Sequence, residues 1–181
     1  MARLPYLNPE DVPAEYRALF LEQLSVPGRQ AIHIMKILAN APALLPKFSA
    51  MGGALLAGQG LDPKLRELAL EAVGIASGCE YEYVHHWNIA LARAGVPREQ
   101  LAHIRDYETS PLFNAGERAV IRYALEVTRD VRVSDGTFAA VRELLGDPQL
   151  MELVLVVAFY NMVVRILEPL QVELEPGVKK N

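Results

Sequence analysis

Apolar positions recur along this chain at the three- and four-residue spacing of helices, and proline and glycine punctuate them. After an irregular start, Ala14 to Leu24 predicts a short amphipathic helix closed by Pro27-Gly28. Ala31 to Ala39 predicts a second helix, and Pro42 opens a third that runs to about Ala57, broken by Gly58 and Gly60. Asp62-Pro63 places an N-cap before a proline at the first helical position and starts a helix to about Ser77. Gly78 separates it from a helix over Glu80 to Ala94, which Gly95 ends. Pro97 starts a short helix through Arg105. Asn114 caps Ala115 to Arg129, with Glu117 as its capping-box partner. Ser134 caps a helix ending near Gly146, and Asp147-Pro148 starts the last one, which reaches about Leu167 before Pro169. Only Val131 to Val133 hints at a strand, and it is too short to matter. No internal repeat, linker or low-complexity tract interrupts the pattern. The expectation is an all-α bundle.

At 181 residues the chain is most simply one domain, residues 1–181 with a core of about 14–170. Its 51% hydrophobic content, beside 22% charged, points to an oligomer that buries more surface than one subunit needs. A net charge of -4, from 18 basic and 22 acidic side chains, gives no footprint for nucleic acid or an anionic membrane. Met1 to Pro13 lacks the basic and apolar regions of a signal peptide. The strongest apolar run, Leu153 to Tyr160, is followed by Asn161 and Arg165 and is too short for a membrane span. These features together lead us to expect a cytoplasmic protein without membrane or nucleic-acid partners.

The candidate chemistry lies in Cys79-Glu80-Tyr81-Glu82-Tyr83-Val84-His85-His86. At roughly 100° per residue, Glu82 falls about 60° and His86 about 20° from Cys79, so a thiol, a carboxylate and an imidazole share one helix face. Cys79 stands near a helix N-terminus, where unpaired N–H groups favour a thiolate. Glu82 and His86 are four apart and can pair. Glu67 and Glu71 are also four apart, on the preceding helix. The short Gly78 turn makes the two helices antiparallel, so either glutamate could reach the Cys79 face. Clustered carboxylates raise one another's pKa, which suits proton transfer near neutral pH. The plainer alternatives are a solvated helix face for Glu71, Glu80 and His85, simple packing for Cys79, and core or pocket lining for Tyr81 and Tyr83. Glu82-x-x-His85 has the spacing of a di-iron carboxylate helix, but no second Glu-x-x-His exists and Glu99 and His103 are one residue too far apart, so no metal is expected. The lone Cys79 excludes an intramolecular disulfide. Nucleophile-elbow, phosphate-loop and dinucleotide signatures are missing.

Leu65-Arg66-Glu67-Leu68-Ala69, the Cys79–His86 segment and Ala94-Gly95-Val96 together resemble the carboxymuconolactone decarboxylase family, whose superfamily includes the alkylhydroperoxidase AhpD-like proteins. The good match covers about a third of the chain, and Tyr160-Asn161-Met162-Val163-Val164-Arg165 with Leu170-Gln171-Val172 is a looser echo. The resemblance implies an all-helical AhpD-like bundle, no cofactor, and a homo-oligomer, commonly a trimer or hexamer. In the peroxidase branch the motif is a glutamate, eleven residues, Cys-x-x-Cys, three residues and a histidine. Glu67, Cys79 and His86 match it, but Glu82 replaces the second cysteine. One cysteine cannot cycle between dithiol and disulfide within a subunit.

Two functions follow from the resemblance. The first is a cofactor-independent decarboxylase-like lyase acting on a small carboxylated lactone or cyclic acid. His86 would be its acid or base, Glu82 would orient His86, and Glu67 would be a second carboxylate. Tyr83, Tyr160 and Arg165 would line the substrate site, with Arg165 binding the substrate carboxylate. The alternative is a single-cysteine thiol peroxidase in which Cys79 forms a sulfenic acid and an external thiol reduces it. Glu82 in place of cysteine favours the first. The sequence leaves open whether His33, Tyr160 and Arg165 approach the Cys79 face. A fold retained for binding without catalysis is a third reading.

Overall fold

The computed structural model describes residues 1–24, 32–57 and 60–181. Among these residues there is no strand. The α-helices are α1 (Ala14–Leu24), α2 (His33–Leu38), α3 (Leu45–Ala57), α4 (Pro63–Ser77), α5 (Glu80–Arg93), α6 (Arg98–Ala102), α7 (Ala115–Asp130) and α8 (Asp135–Leu170). Short 3-10 turns cover Pro9–Asp11 and Ile104–Asp106. The expected all-α class is what the chain adopts. Pro27-Gly28, Ala31 and Gly58, which were expected to mark helix ends, lie outside the described residues.

The chain divides into two compact units, one of residues 1–57 and 166–178, the other of residues 58–165 and 179–181. In the first, Val12, Phe20, Ala39 and Leu45 form a buried cluster against which Leu7, Tyr16, Met35 and Leu38 pack. His33 belongs to this unit, where its ring stacks on Tyr6 at 4.1 Å and its Nδ1 lies 2.7 Å from the Glu173 carbonyl oxygen.

The second unit is built around α4. Every residue from Arg66 to Gly74 is buried, because α5 and α7 pack along this helix. Leu68, Leu70 and Val73 supply its apolar contacts. Several ends follow the chemistry read from the sequence. The Asp62 carboxylate accepts the Lys64 N–H at 2.8 Å, and Pro63 takes the first helical position. Asn114 and Glu117 form a reciprocal capping box at the start of α7. Val131, the hint of a strand, instead ends α7 in the left-handed region. The early turn of the Pro97 helix is also shorter than expected: Pro97 caps α6, and a 3-10 turn follows it.

Helix α8 is two helical limbs joined at a kink, as the sequence predicts. It runs on for 36 residues and is long and apolar enough by composition to cross a membrane. Gly146, with φ 67° and ψ 169°, breaks it where the sequence predicts two helices. Beyond the break, Leu153, Val156, Val157, Tyr160, Val163 and Val164 are buried, as in a core helix. Asn161 ties this limb to α7 by donating to Thr128 Oγ1 at 3.0 Å.

Candidate functional site

The site grows from the turn between α4 and α5. Gly78 ends α4 at φ 70°, and the Cys79 N–H returns to the Gly74 carbonyl at 3.0 Å. Gly74 lets the helices approach: a Cβ there would meet the Tyr83 backbone nitrogen at 3.1 Å and its Cα at 3.2 Å. This close antiparallel contact sets α4 glutamates opposite the polar stripe of α5.

Glu67 and His86 meet across that contact. His86 Nδ1 lies 2.7 Å from Glu67 Oε2, and Nε2 lies 3.1 Å from Glu82 Oε1, one turn back on α5. The second contact is an ion pair whose angle falls short of a hydrogen bond, since Glu82 Oε1 has no hydrogen-bond partner. Arg66 Nε donates to Glu67 Oε1 at 3.2 Å. Tyr160 packs its ring edge-on to the imidazole, 4.8 Å between centroids. Glu67, Glu82, His86 and Tyr160 are all buried.

Burial alone would push the His86 imidazole down, but the Glu82 and Glu67 carboxylates reverse this and push it up to about 10. At neutral pH the ring is therefore an imidazolium with a proton on each nitrogen. Burial likewise acts to raise Glu67, and the charges and hydrogen bonds of His86 and Arg66 overcome it, holding the carboxyl below its ordinary value. Burial raises the Tyr160 phenol well above its usual range, helped by Glu82 and Glu67 and opposed by Arg66.

Cys79 is fully buried and is the N-cap of α5, with φ -83° and ψ 98°, rather than a residue within the helix. Helical spacing therefore describes Glu82 and His86, which lie within α5, while Cys79 stands one residue before the helix begins. Glu71 departs further from expectation. A solvated face was the plainer reading, yet Glu71 is fully buried and neither carboxyl oxygen has a hydrogen-bond partner. Burial pushes its pKa up to about 9, with Glu67 and Glu82 adding to the rise and His86 and Lys180 opposing it. Glu71 is a neutral acid at pH 7.

Glu80 is exposed, and His85 is half-buried with its ring 4.5 Å from that of Tyr81. Tyr83 is half-buried and carries the Lys180 ammonium 3.4 Å above its ring centroid. Arg165 does not join the cluster. It is exposed, and its Nη1 donates to the carbonyl oxygen and Oδ1 of Asn161 at 2.8 and 2.6 Å, satisfied within its own helix. Sequence reasoning missed Arg66, Glu71 as a buried group, and the tail. The signal for the first two was their place beside and one turn from Glu67. Nothing in the sequence marked the tail, where Trp87 Nε1 donates to the Asn181 carbonyl at 3.2 Å. Among the described residues, no three His, Cys, Asp or Glu side chains are arranged to hold a metal ion.

Residues 42–126 match the carboxymuconolactone decarboxylase family. An uncharacterised peroxidase-related protein with an alkylhydroperoxidase AhpD core, from Ralstonia eutropha JMP134, is 24% identical with a TM-score of 0.80, covering 97% of this chain and 93% of its own. A peroxidase-related protein from Silicibacter sp. TM1040 is 21% identical with a TM-score of 0.80, over 97% and 92% of the two chains. The debrominase Bmp8, as a cysteine-to-alanine variant in complex with 2,3,4-tribromopyrrole, is 17% identical with a TM-score of 0.81, over 97% and 95%. At these identities the likeness is one of fold. No curated protein matches the chain by sequence.

Proposed function

We propose that this chain, which belongs through residues 42–126 to the carboxymuconolactone decarboxylase family, is a cofactor-independent lyase that uses His86 as its general acid. The observation that carries the reading is the buried His86 ring held between Glu67 and Glu82, with Nδ1 2.7 Å from one carboxylate and Nε2 3.1 Å from the other. The substrate is a small carboxylated lactone or cyclic acid. Heterolysis of the bond to the departing carboxylate releases carbon dioxide and leaves an electron pair in an adjacent unsaturated carbonyl. The Nε2 proton of His86 passes to that carbanion, and water restores the proton through Glu82. An acid as weak as this imidazolium suits a carbanion or enolate, whose conjugate acid is itself weak, better than a feebly basic ester oxygen. Glu67 fixes the ring through Nδ1 and keeps the tautomer constant. Rate then comes from positioning and preorganised charge. A homo-oligomer, trimer or hexamer, in the cytoplasm goes with this proposal.

Thiol redox chemistry is the second reading, favoured by one observation: Cys79 stands at the N-terminus of α5, where N–H groups stabilise a thiolate. Its thiolate would take one oxygen of a hydroperoxide to become a sulfenic acid, releasing the alcohol, and an external thiol would restore it with loss of water. The peroxidase-related proteins and the debrominase of like fold are consistent with this alternative. Carbon dioxide release from a panel of carboxylated lactones, by the wild type and Cys79→Ser, tests the two together. Release that survives Cys79→Ser supports the lyase. Release from none of them, with peroxide consumed only when Cys79 is present, overturns it.

A further inference from the structure

We propose that Arg66 is the anchor for an anionic group of the bound substrate, taking the role that sequence reasoning gave to Arg165. The proposal deepens the lyase reading and rests on it for the substrate class. Arg66 is only 7% exposed, and its Nη1 is buried with no hydrogen-bond partner, while Nε is held by Glu67. Both Glu67 oxygens are already engaged, one by Arg66 Nε and the other by His86 Nδ1. Each of these oxygens has a second lone pair, but neither makes a hydrogen bond with Nη1. A buried cationic donor left without an acceptor is costly, more so than a neutral one, and native structures almost always supply a partner. The missing acceptor is then one that arrives from outside the chain.

A carboxylate is the acceptor whose chemistry suits this donor. Guanidinium donors match its geometry and bind it with charge-assisted hydrogen bonds. The site can accept an added negative charge because two cations, Arg66 and the His86 imidazolium, already face the Glu67 and Glu82 carboxylates while Glu71 is neutral. Arg66 also acts electrostatically on Tyr160, the residue that packs on His86, so the unfilled donor belongs to the same cluster as the general acid. Arg165, by contrast, has its Nη1 satisfied by Asn161. One chemical constraint follows. A cation on the departing carboxylate would hold charge where it must leave, so the group anchored by Arg66 is one that survives the reaction.

The test is calorimetric titration with 5-oxotetrahydrofuran-2-carboxylate, whose one carboxylate stands for the group that remains, its methyl ester and acetate. The acid should bind the wild type at least about tenfold more tightly than the ester. Arg66→Gln should weaken the acid roughly 30-fold or more, in line with loss of one partner of a buried charged pair, and leave the ester alone. Arg66→Lys, which keeps the charge, should fall between them. If Arg66→Gln does not fold, the side-chain 15N resonance of Arg66 in the wild type decides the matter, since the acid should move it and the ester should not. Failure of the wild type to bind either carboxylate, equal binding of acid and ester, or a loss confined to Arg165→Gln overturns the anchor. Arg66-dependent binding without carbon dioxide release from any lactone would sustain the anchor and sink the lyase. Release that is indifferent to Arg66 would do the reverse.

Discussion

Glu67 and Glu71 lie one turn apart on α4, both fully buried, and hold opposite protonation states at neutral pH. The difference is one of partners. Glu67 has a guanidinium on one oxygen and an imidazolium on the other, enough to overcome its desolvation. Glu71 has no hydrogen-bond partner on either oxygen, so burial prevails and the proton stays. Carboxyls whose pKa values are driven apart in one place are a common mark of acid–base sites.

Glu71 should make stability depend on pH in a way that Gln does not. Its folded pKa of about 9 stands above the ordinary 4.5. The native state therefore keeps a proton that the unfolded chain loses, and this contribution is complete below about 4.5 and fades as pH rises toward 9. Glu71→Gln removes the titration while keeping shape and neutrality. Urea unfolding of both proteins at pH 5, 7 and 9 should give similar stabilities at pH 5 and a gap favouring Gln, on the order of a few kcal/mol, at pH 9. Parallel pH profiles would refute the protonated Glu71.

His86 should stay protonated where ordinary histidines titrate. Its folded pKa of about 10 exceeds the usual 6.5, so its share of stability is whole below 6.5 and is lost as pH climbs through 10. In a proton NMR titration the His86 Cε1–H signal should hold still between pH 5 and 8. A midpoint near 6.5 for His86 would contradict the charge assignment. Replacing the ring by Gln removes the cation between two buried carboxylates, leaving Glu67 only Arg66, and should cost about 3–5 kcal/mol at pH 7 by chemical denaturation.

Much of this arrangement was legible because it rests on local chemistry. Asp62-Pro63 and Gly78 bound α4, the Gly78 turn makes α4 and α5 antiparallel, and that alone brings Glu67 toward His86. What could not be read follows from α4 being enclosed. A helix wrapped by neighbours offers no solvent face, so the preference of Glu71 and Arg66 for water gives the wrong answer. Arg165 was misplaced for a different reason: Asn161, one turn back, satisfies it locally, and such pairing competes with any longer reach. The start of α5 at Glu80, with Cys79 as its N-cap, was legible too, because Gly78 ends α4 and leaves one residue to open the next helix.

Glu82 and Cys79 should separate in activity. Glu82 touches the nitrogen assigned to deliver the proton, so Glu82→Gln should lower kcat by about 10²–10⁴, the usual worth of a positioned acid–base group, with the fold retained by circular dichroism. Cys79→Ser should leave decarboxylation within a few-fold of wild type, a small change beside that range. The opposite pattern, an inert Cys79→Ser and an active Glu82→Gln, would hand the site to thiol chemistry.

Gly74→Ala tests whether the site depends on the approach of the two helices. The added methyl group would sit 3.1 Å from the Tyr83 nitrogen and 3.2 Å from its Cα, and backbone atoms cannot rotate away. The helices must part by a few tenths of an ångström or strain in place, a cost of about 1–3 kcal/mol for overpacking. Separation would lengthen the contact between Glu67 on α4 and His86 on α5, now 2.7 Å, while leaving the Glu82–His86 contact within α5 untouched. His86 would then lose part of the field that holds its proton. Its NMR titration midpoint should fall measurably below that of the wild type, with Glu82 preventing a return to 6.5. An unchanged midpoint in a destabilised Gly74→Ala protein would mean that the Glu67 contact is not what the close helix approach secures.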